Sequence, residues 1–185
     1  MQDPQENELF SQAPRSTVSS FLLALVIVAM AATLLTLILW PTQISPVLGK
    51  APEILAAGWL NGPEPTPEDL HGKVIVLDAW AYWCGPCRAK APELVQLYEK
   101  YSPRGVLFLG LTQEGVNVDE YNRRFLETTH ITWPNGYGAV DTLFALKADY
   151  IPQRWVIDRH YNLIWNEDSP EPIETAIDRA LAEKL

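Results

Sequence analysis

The chain has 185 residues, 48% of them hydrophobic, and a formal charge of −9, which suits one globular domain with a short addition. The acidic balance leaves no basic stripe to meet phosphates, which excludes nucleic acid as a partner. Only two cysteines are present, two residues apart, which excludes a disulfide-stapled scaffold.

Residues 1–20 form a short tail. Residues 21–40, FLLALVIVAMAATLLTLILW, are apolar, and no charge occurs between Arg15 and Lys50. At ~1.5 Å per residue such a helix reaches about 30 Å, the thickness of a bilayer's hydrocarbon core. A single N-terminal transmembrane anchor is therefore expected. A cleaved secretory signal is the rival reading. Against it, the stretch exceeds the usual ~7–15 residues of a signal's apolar region, and the small residues Ala29, Ala31 and Ala32 lie inside it. Arg15 flanks the span on its N-terminal side more closely than Lys50 does on the other. That bias keeps the N-terminus inside and puts the main domain on the periplasmic or extracytoplasmic side.

Residues 41–49, with Pro41 and Pro46, read as a linker, and residues 50–185 as the folded domain. Residues 54–60 suggest a strand entering a turn at Asn61-Gly62. Thr66-Pro67-Glu68-Asp69 has the form of a capped helix start. Residues 74–80 are a nearly unbroken apolar run, as in a central strand buried on both faces. Residues 84–101 follow helical spacing with Pro92 inside, where a kink is expected. A second buried strand covers residues 106–111, and a helix opening at Asn117 with its cap runs to Thr129. A short helix is expected over 140–147, and strands over 155–158 and 163–166 form a hairpin. The last helix begins at Ser169-Pro170. Phe125, Trp133, Phe144 and Trp80 read as core, and Trp83 as exposed. Strands alternating with helices give an α/β class, and the terminal hairpin makes the sheet mixed.

The two cysteines sit together as Trp83-Cys84-Gly85-Pro86-Cys87, directly after the first apolar strand. Zinc needs about four ligands, and His71, His130 and His160 are scattered without ligand spacing, so no metal is expected. Two coincidental core cysteines would leave the Gly-Pro at a helix start unexplained. A thiol–disulfide redox pair accounts for the context, because a helix N-terminus favours thiolate over thiol. A thiol of pKa ~8.5 is about 3% thiolate at pH 7, and lowering it to ~7 makes half reactive. Nucleophilicity falls at the same time by about fivefold, so the net rate gain is only about threefold. Lowering the pKa thus matters as much for leaving-group ability and redox poise. No cofactor is required for such exchange.

Asp78-Ala79-Trp80-Ala81-Tyr82 leading into the cysteine motif, Pro92, and Ile151-Pro152 together resemble thioredoxin. The N-terminal apolar segment, Leu70-His71-Gly72-Lys73 before the strand, and an inserted segment near residues 118–132 narrow this to the membrane-anchored TlpA/ResA-like thiol–disulfide oxidoreductases. The resemblance implies a thioredoxin-like mixed β-sheet flanked by helices, preceded by the anchor. It implies that Cys84 and Cys87 form the redox-active disulfide, with Cys84 attacking and Cys87 resolving. Asp78 matches the family's buried acid, whose pKa burial should raise so that it takes the proton of Cys87. A structural Asp78 paired with a lysine is the alternative. Pro152 matches the family's cis-proline, and with Ile151, Trp83, Gly85 and Pro86 would form the substrate surface. The chain departs from the pattern at Lys90, where ResA-like members often place an acid, at Gln153-Arg154 after the proline, and at the bulky Tyr82.

The function expected is a membrane-anchored reductase of protein disulfides, fed by a transmembrane thiol-reductant carrier. The family adds cytochrome c biogenesis, with apocytochrome c as substrate. The Gly-Pro dipeptide resembles reducing thioredoxins at about −270 mV rather than strong oxidants at about −120 mV. Two alternatives stand beside it. A peroxiredoxin-type thiol peroxidase usually has Pro and Thr where this chain has Leu77 and Ala81. A redox-silent tethered binding module would use only the groove beside Pro152.

Overall fold

The computed structural model describes residues 17–39 and 48–184. The expected tail as far as residue 16, Trp40 at the end of the expected anchor, linker residues 41–47 and Leu185 lie outside the described residues. The chain divides into two compact units, Met1–Gln43 and Ile44–Leu185. The first holds helix α1, Thr17–Leu39. Its side chains are described over residues 22–35, and all of these are exposed. Among the described residues no helix is long and apolar enough to cross a membrane.

The second unit is a seven-stranded mixed sheet flanked by helices. Its strands are β1 (Gly49–Lys50), β2 (Gly58–Leu60), β3 (Ile75–Ala79), β4 (Leu107–Leu111), β5 (Asn135–Tyr137), β6 (Gln153–Ile157) and β7 (Asn162–Asn166), in the spatial order β1-β7-β6-β3-β4-β5-β2. β3 lies at the centre, parallel to β4 and antiparallel to β6, with every residue buried. That position explains its apolar run, since both of its faces are covered.

The two-residue period of a strand divides β3 between two cores. Val76 and Trp80 join the cluster with Leu94, Leu97, Phe125 and Ile177. Ile75, Leu77 and Ala79 join the other, with Leu109, Leu143 and Trp155. The helices are α2 (Pro67–Leu70), α3 (Gly85–Tyr101), α4 (Asp119–Thr129), α5 (Val140–Ala145) and α6 (Ile173–Ala182). The expected capping box of α2 is present, with Thr66 and Asp69 bonding each other's backbone N–H groups.

Several local expectations are corrected. The strand expected over 54–60 shrinks to β2, because the Thr142 hydroxyl accepts the Leu55 N–H at 2.7 Å and stands in for a ladder partner. β5 was not expected. Asn135-Gly136-Tyr137 has no apolar run, yet it pairs with both β4 and β2. α4 begins at Asp119 after a 3-10 turn, and Asn117 does not cap it. α6 begins at Ile173, because Ser169 instead turns the chain by accepting the Asn166 N–H. Phe144 is not core but 85% exposed, sharing an outward helical position with Val140 while Leu143 is buried.

Trp80 and Trp133 are core, as expected, at 2% and 3% exposure. Trp80 stacks on Phe125 with ring centroids 4.6 Å apart. The Trp80 indole N–H donates to Asn135 Oδ1 at 2.8 Å, and Asn135 Nδ2 donates to the Trp133 carbonyl. Gly110 makes room for this link, since a Cβ there would collide with Asn135 Oδ1. Gly110→Ala should therefore cost about 3 kcal/mol, combining overpacking with a stranded buried N–H. Urea unfolding measures it, and a cost below ~0.5 kcal/mol, the scale of an ordinary surface change, would refute the account.

Candidate active site

After β3 the chain turns through Trp80–Trp83 and enters α3 at Cys84. The Cys84 N–H donates to the Ala81 carbonyl, which tightens the turn. Cys84 is the N-cap of α3, and its Sγ accepts the Cys87 N–H at 3.0 Å. Pro86 falls in the first helical turn, where a missing N–H leaves nothing unsatisfied. One turn of helix brings Cys87 back to Cys84. The two are joined as a disulfide with Cα atoms 5.3 Å apart. Both cysteines are buried, whereas Trp83, Gly85 and Pro86 are exposed around them.

Sheet register brings distant segments to this point. Ala79, the last residue of β3, lies opposite Leu111 of β4 on one side and Gln153 of β6 on the other. The segments after β3 and β4 therefore meet the one before β6 at a single edge of the sheet. That segment contains the Ile151-Pro152 peptide, which is cis. His71 and His160 line a different pocket, whose other residues include Lys50 and Tyr161.

Asp78, Cys87, Lys90, Pro152 and Arg154 line one small pocket with Ala91, Leu94, Phe125 and Ile131. Its space, about 10 Å³, suits about one water molecule. Asp78 lies on the face of β3 turned toward this pocket, between Val76 and Trp80, and is 6% exposed. Burial pushes its carboxyl up to about 7; the charge of Arg154 opposes the rise, and that of Glu167 adds to it.

The alternative of a lysine partner for Asp78 does not match the structure. Arg154 is the residue directly across the ladder from Asp78, but its guanidinium is engaged elsewhere. It donates from Nε and Nη2 to Glu167, both at 2.9 Å, and from Nη1 to Glu93 at 3.1 Å. Lys90 pairs with Glu167 at 3.3 Å. Burial works to raise the Glu167 carboxyl, but hydrogen bonds and charge from Arg154 and Lys90 outweigh it and hold the group low. Asp78 is thus left without a hydrogen-bonded cation among the described residues. In the sequence Lys90 and Arg154 stand out only as departures from the family pattern. Glu167 and Glu93 gave no local signal, because their relation to Asp78 is made by strand pairing and helix packing.

Trp83, Ile151, Tyr150, Leu143, Glu114 and Asp149 help to line a second groove of about 240 Å³. Trp83 is 63% exposed, and its indole N–H donates to Glu114 Oε1 at 2.7 Å. Tyr82 does not line this groove but stacks against Tyr121. Chemically, the edge combines a disulfide at a helix N-terminus, a buried acid raised toward neutrality in the same pocket as Cys87, and a groove of aromatic and acidic residues next to the cis-proline segment.

A family model described as Redoxin matches residues 50–183. The thiol-disulfide oxidoreductase ResA of Oceanobacillus iheyensis is 36% identical over 63 residues, 31% of this chain and 33% of that protein. ResA of Bacillus thuringiensis is 29% identical over 100 residues, 49% of this chain and 58% of that protein. The chain thus aligns with between a third and somewhat over half of these relatives' length. Among solved structures, a thioredoxin-like superfamily protein superposes with a TM-score of 0.63 at 27% identity, over 74% of this chain and 98% of that one. The mixed sheet, the cysteine pair at the start of α3 and these likenesses agree: the chain belongs to the Redoxin family and has the thioredoxin-like fold.

Proposed function

We propose that the protein is a thiol–disulfide oxidoreductase that reduces protein disulfides outside the cytoplasm. The observation that carries this reading is the Cys84–Cys87 disulfide at the tip of α3, with Asp78 and Pro152 lining the same pocket as Cys87. In the reduced protein the Cys84 thiolate attacks a substrate disulfide. One sulfur–sulfur bond forms, one breaks, and the first substrate sulfur leaves as a thiolate that takes a proton from solvent. Cys87 then passes its proton to the Asp78 carboxylate, through the single water its pocket can hold. The Cys87 thiolate attacks Cys84 Sγ, restoring the protein disulfide and expelling the second substrate thiolate. Two electrons have moved from the protein dithiol to the substrate disulfide.

Gly85 and Pro86 leave the tip of α3 open to the approaching disulfide, and Trp83, Ile151 and Pro152 form the surface against which an extended substrate lies. Residues 21–40 anchor the domain. Support for the anchor is the charge-free, apolar stretch between Arg15 and Lys50. A transmembrane dithiol carrier re-reduces Cys84–Cys87, and apocytochrome c belongs to the substrate class that a ResA-like member would serve.

Equilibration with glutathione buffers tests the direction of electron flow. A potential near −270 mV, together with reduction of insulin disulfides, is the expected result. A value near −120 mV would make the protein an oxidant and overturn the reductase reading.

A further inference from the structure

The groove beside Trp83 carries more chemical information than an apolar trough. Its walls hold two carboxylates, Glu114 and Asp149, and no Lys, Arg or His among the described residues that line it. Glu114 is fixed in three ways. Its N–H donates to Thr112 Oγ1 at 3.3 Å, its carbonyl accepts the Gly138 N–H at 2.8 Å, and Oε1 accepts the Trp83 indole N–H. Among the described residues no donor reaches Glu114 Oε2, and Asp149 makes no side-chain hydrogen bond or ion pair. Two uncompensated negative charges thus share a groove with the aromatic faces of Trp83 and Tyr150. Carboxylates beside exposed aromatic rings suit a cation on a long alkyl stem, which stacks on the ring while its charge meets the acid.

The other pocket at the cysteines is built differently, with Lys90 and Arg154 among its lining residues. There both cations are already paired, Lys90 with Glu167 and Arg154 with Glu167 and Glu93, whereas the groove carboxylates meet no cation among its lining residues. The net charge of −9 acts over longer range with the same sign as the groove, drawing basic partners toward this protein.

We propose that this groove selects protein disulfides whose reactive cysteine is flanked by lysine or arginine, with Glu114 and Asp149 as the counter-charges. The inference rests on the oxidoreductase reading above and adds its substrate class. The occupant is an extended basic segment of a partner protein, lying along Trp83 and Ile151 with its cysteine at Cys84.

The test uses the reduced full-length protein and two peptides, each closed by one internal disulfide. They are identical except for two lysines or two glutamates beside one cysteine. At low ionic strength the lysine peptide should be reduced about fivefold faster in kcat/KM. The double variant Glu114→Gln/Asp149→Asn should bring the two rates together, and its glutamine amide oxygen still offers the Trp83 N–H an acceptor. Asp149→Lys, at an exposed position, should abolish or reverse the preference by itself. Glu53→Gln/Glu64→Gln removes the same charge from a different pocket and should leave the preference intact. Equal rates for the two peptides with the unaltered protein would overturn the inference alone. So would a preference that survives the groove variants or is lost equally in Glu53→Gln/Glu64→Gln. Failure to reduce either peptide would overturn the oxidoreductase reading and this inference with it.

Discussion

Cys84→Ser should lower insulin reduction by at least about a thousandfold, to the background of the reductant alone. A serine hydroxyl stays protonated at neutral pH and cannot form the mixed disulfide through which exchange runs. Cys87→Ser should also lose turnover but with a different signature: Cys84 still attacks, no thiol resolves the adduct, and a covalent protein–substrate species accumulates. Intact-mass measurement after mixing with an oxidised substrate separates the two variants. The asymmetry follows from the helix. Cys84 Sγ sits at the N-cap and accepts the Cys87 N–H at 3.0 Å, so the positive end of α3 stabilises its thiolate. Burial does not distinguish the two sulfurs, since both cysteines are about equally covered. An adduct that builds up in Cys84→Ser and not in Cys87→Ser would reverse the assigned roles.

Asp78→Asn should stabilise the oxidised protein in alkaline solution and slow it as a catalyst. The carboxyl is raised from 3.8 to about 7 chiefly by burial, so the native state holds this proton more tightly than the unfolded chain does. The linkage has a definite sign. Below about pH 4 both states are protonated and the group contributes no pH dependence. As pH rises from there to about 7, the unfolded chain ionises first and stability falls. Above about 7 the penalty is fully present. A rise of that size corresponds to about 4 kcal/mol at ~1.4 kcal/mol per unit, an upper bound because water and rearrangement relieve part of it. Denaturant unfolding at about pH 3 should show little difference between Asp78→Asn and the unaltered protein, whereas at pH 8 the variant should be more stable by up to that amount. Equal differences at both values would refute burial as the source of the shift. In turnover the variant should lose about a hundredfold near pH 7, together with the inflection near 7 in the pH–rate profile. Retention of that inflection would assign the proton transfer to another group.

Much of the fold was legible because its signals are local. The apolar run of β3, the helical spacing of α3 with its cysteine cap, and the hairpin of β6 and β7 can all be read residue by residue. Failures came where a local preference was outweighed by a distant partner. Thr142 satisfies the backbone near Leu55 and shortens a strand. Asn135-Gly136-Tyr137 becomes a strand only because β4 and β2 flank it. Phe144, apolar and therefore assigned to the core, lies on the turn of α5 that faces outward.

The site divides along the same line. Cys84, Cys87 and the buried character of Asp78 were written into a contiguous stretch of chain, because thiol exchange needs two sulfurs one helical turn apart after a buried strand. The surroundings of Asp78 were not, since Arg154 and Glu167 come from β6 and the segment after β7, and Glu93 from α3. Strand register places Arg154 across from Asp78, and the two glutamates then draw its charge away. The composition of the groove beside Trp83 is likewise a tertiary product, joining Glu114 after β4 to Asp149 before β6. Sequence by itself determined the reacting atoms, which lie within one helical turn of each other. Only the tertiary structure decided their electrostatic surroundings, because charges act through space and these come from residues far apart along the chain.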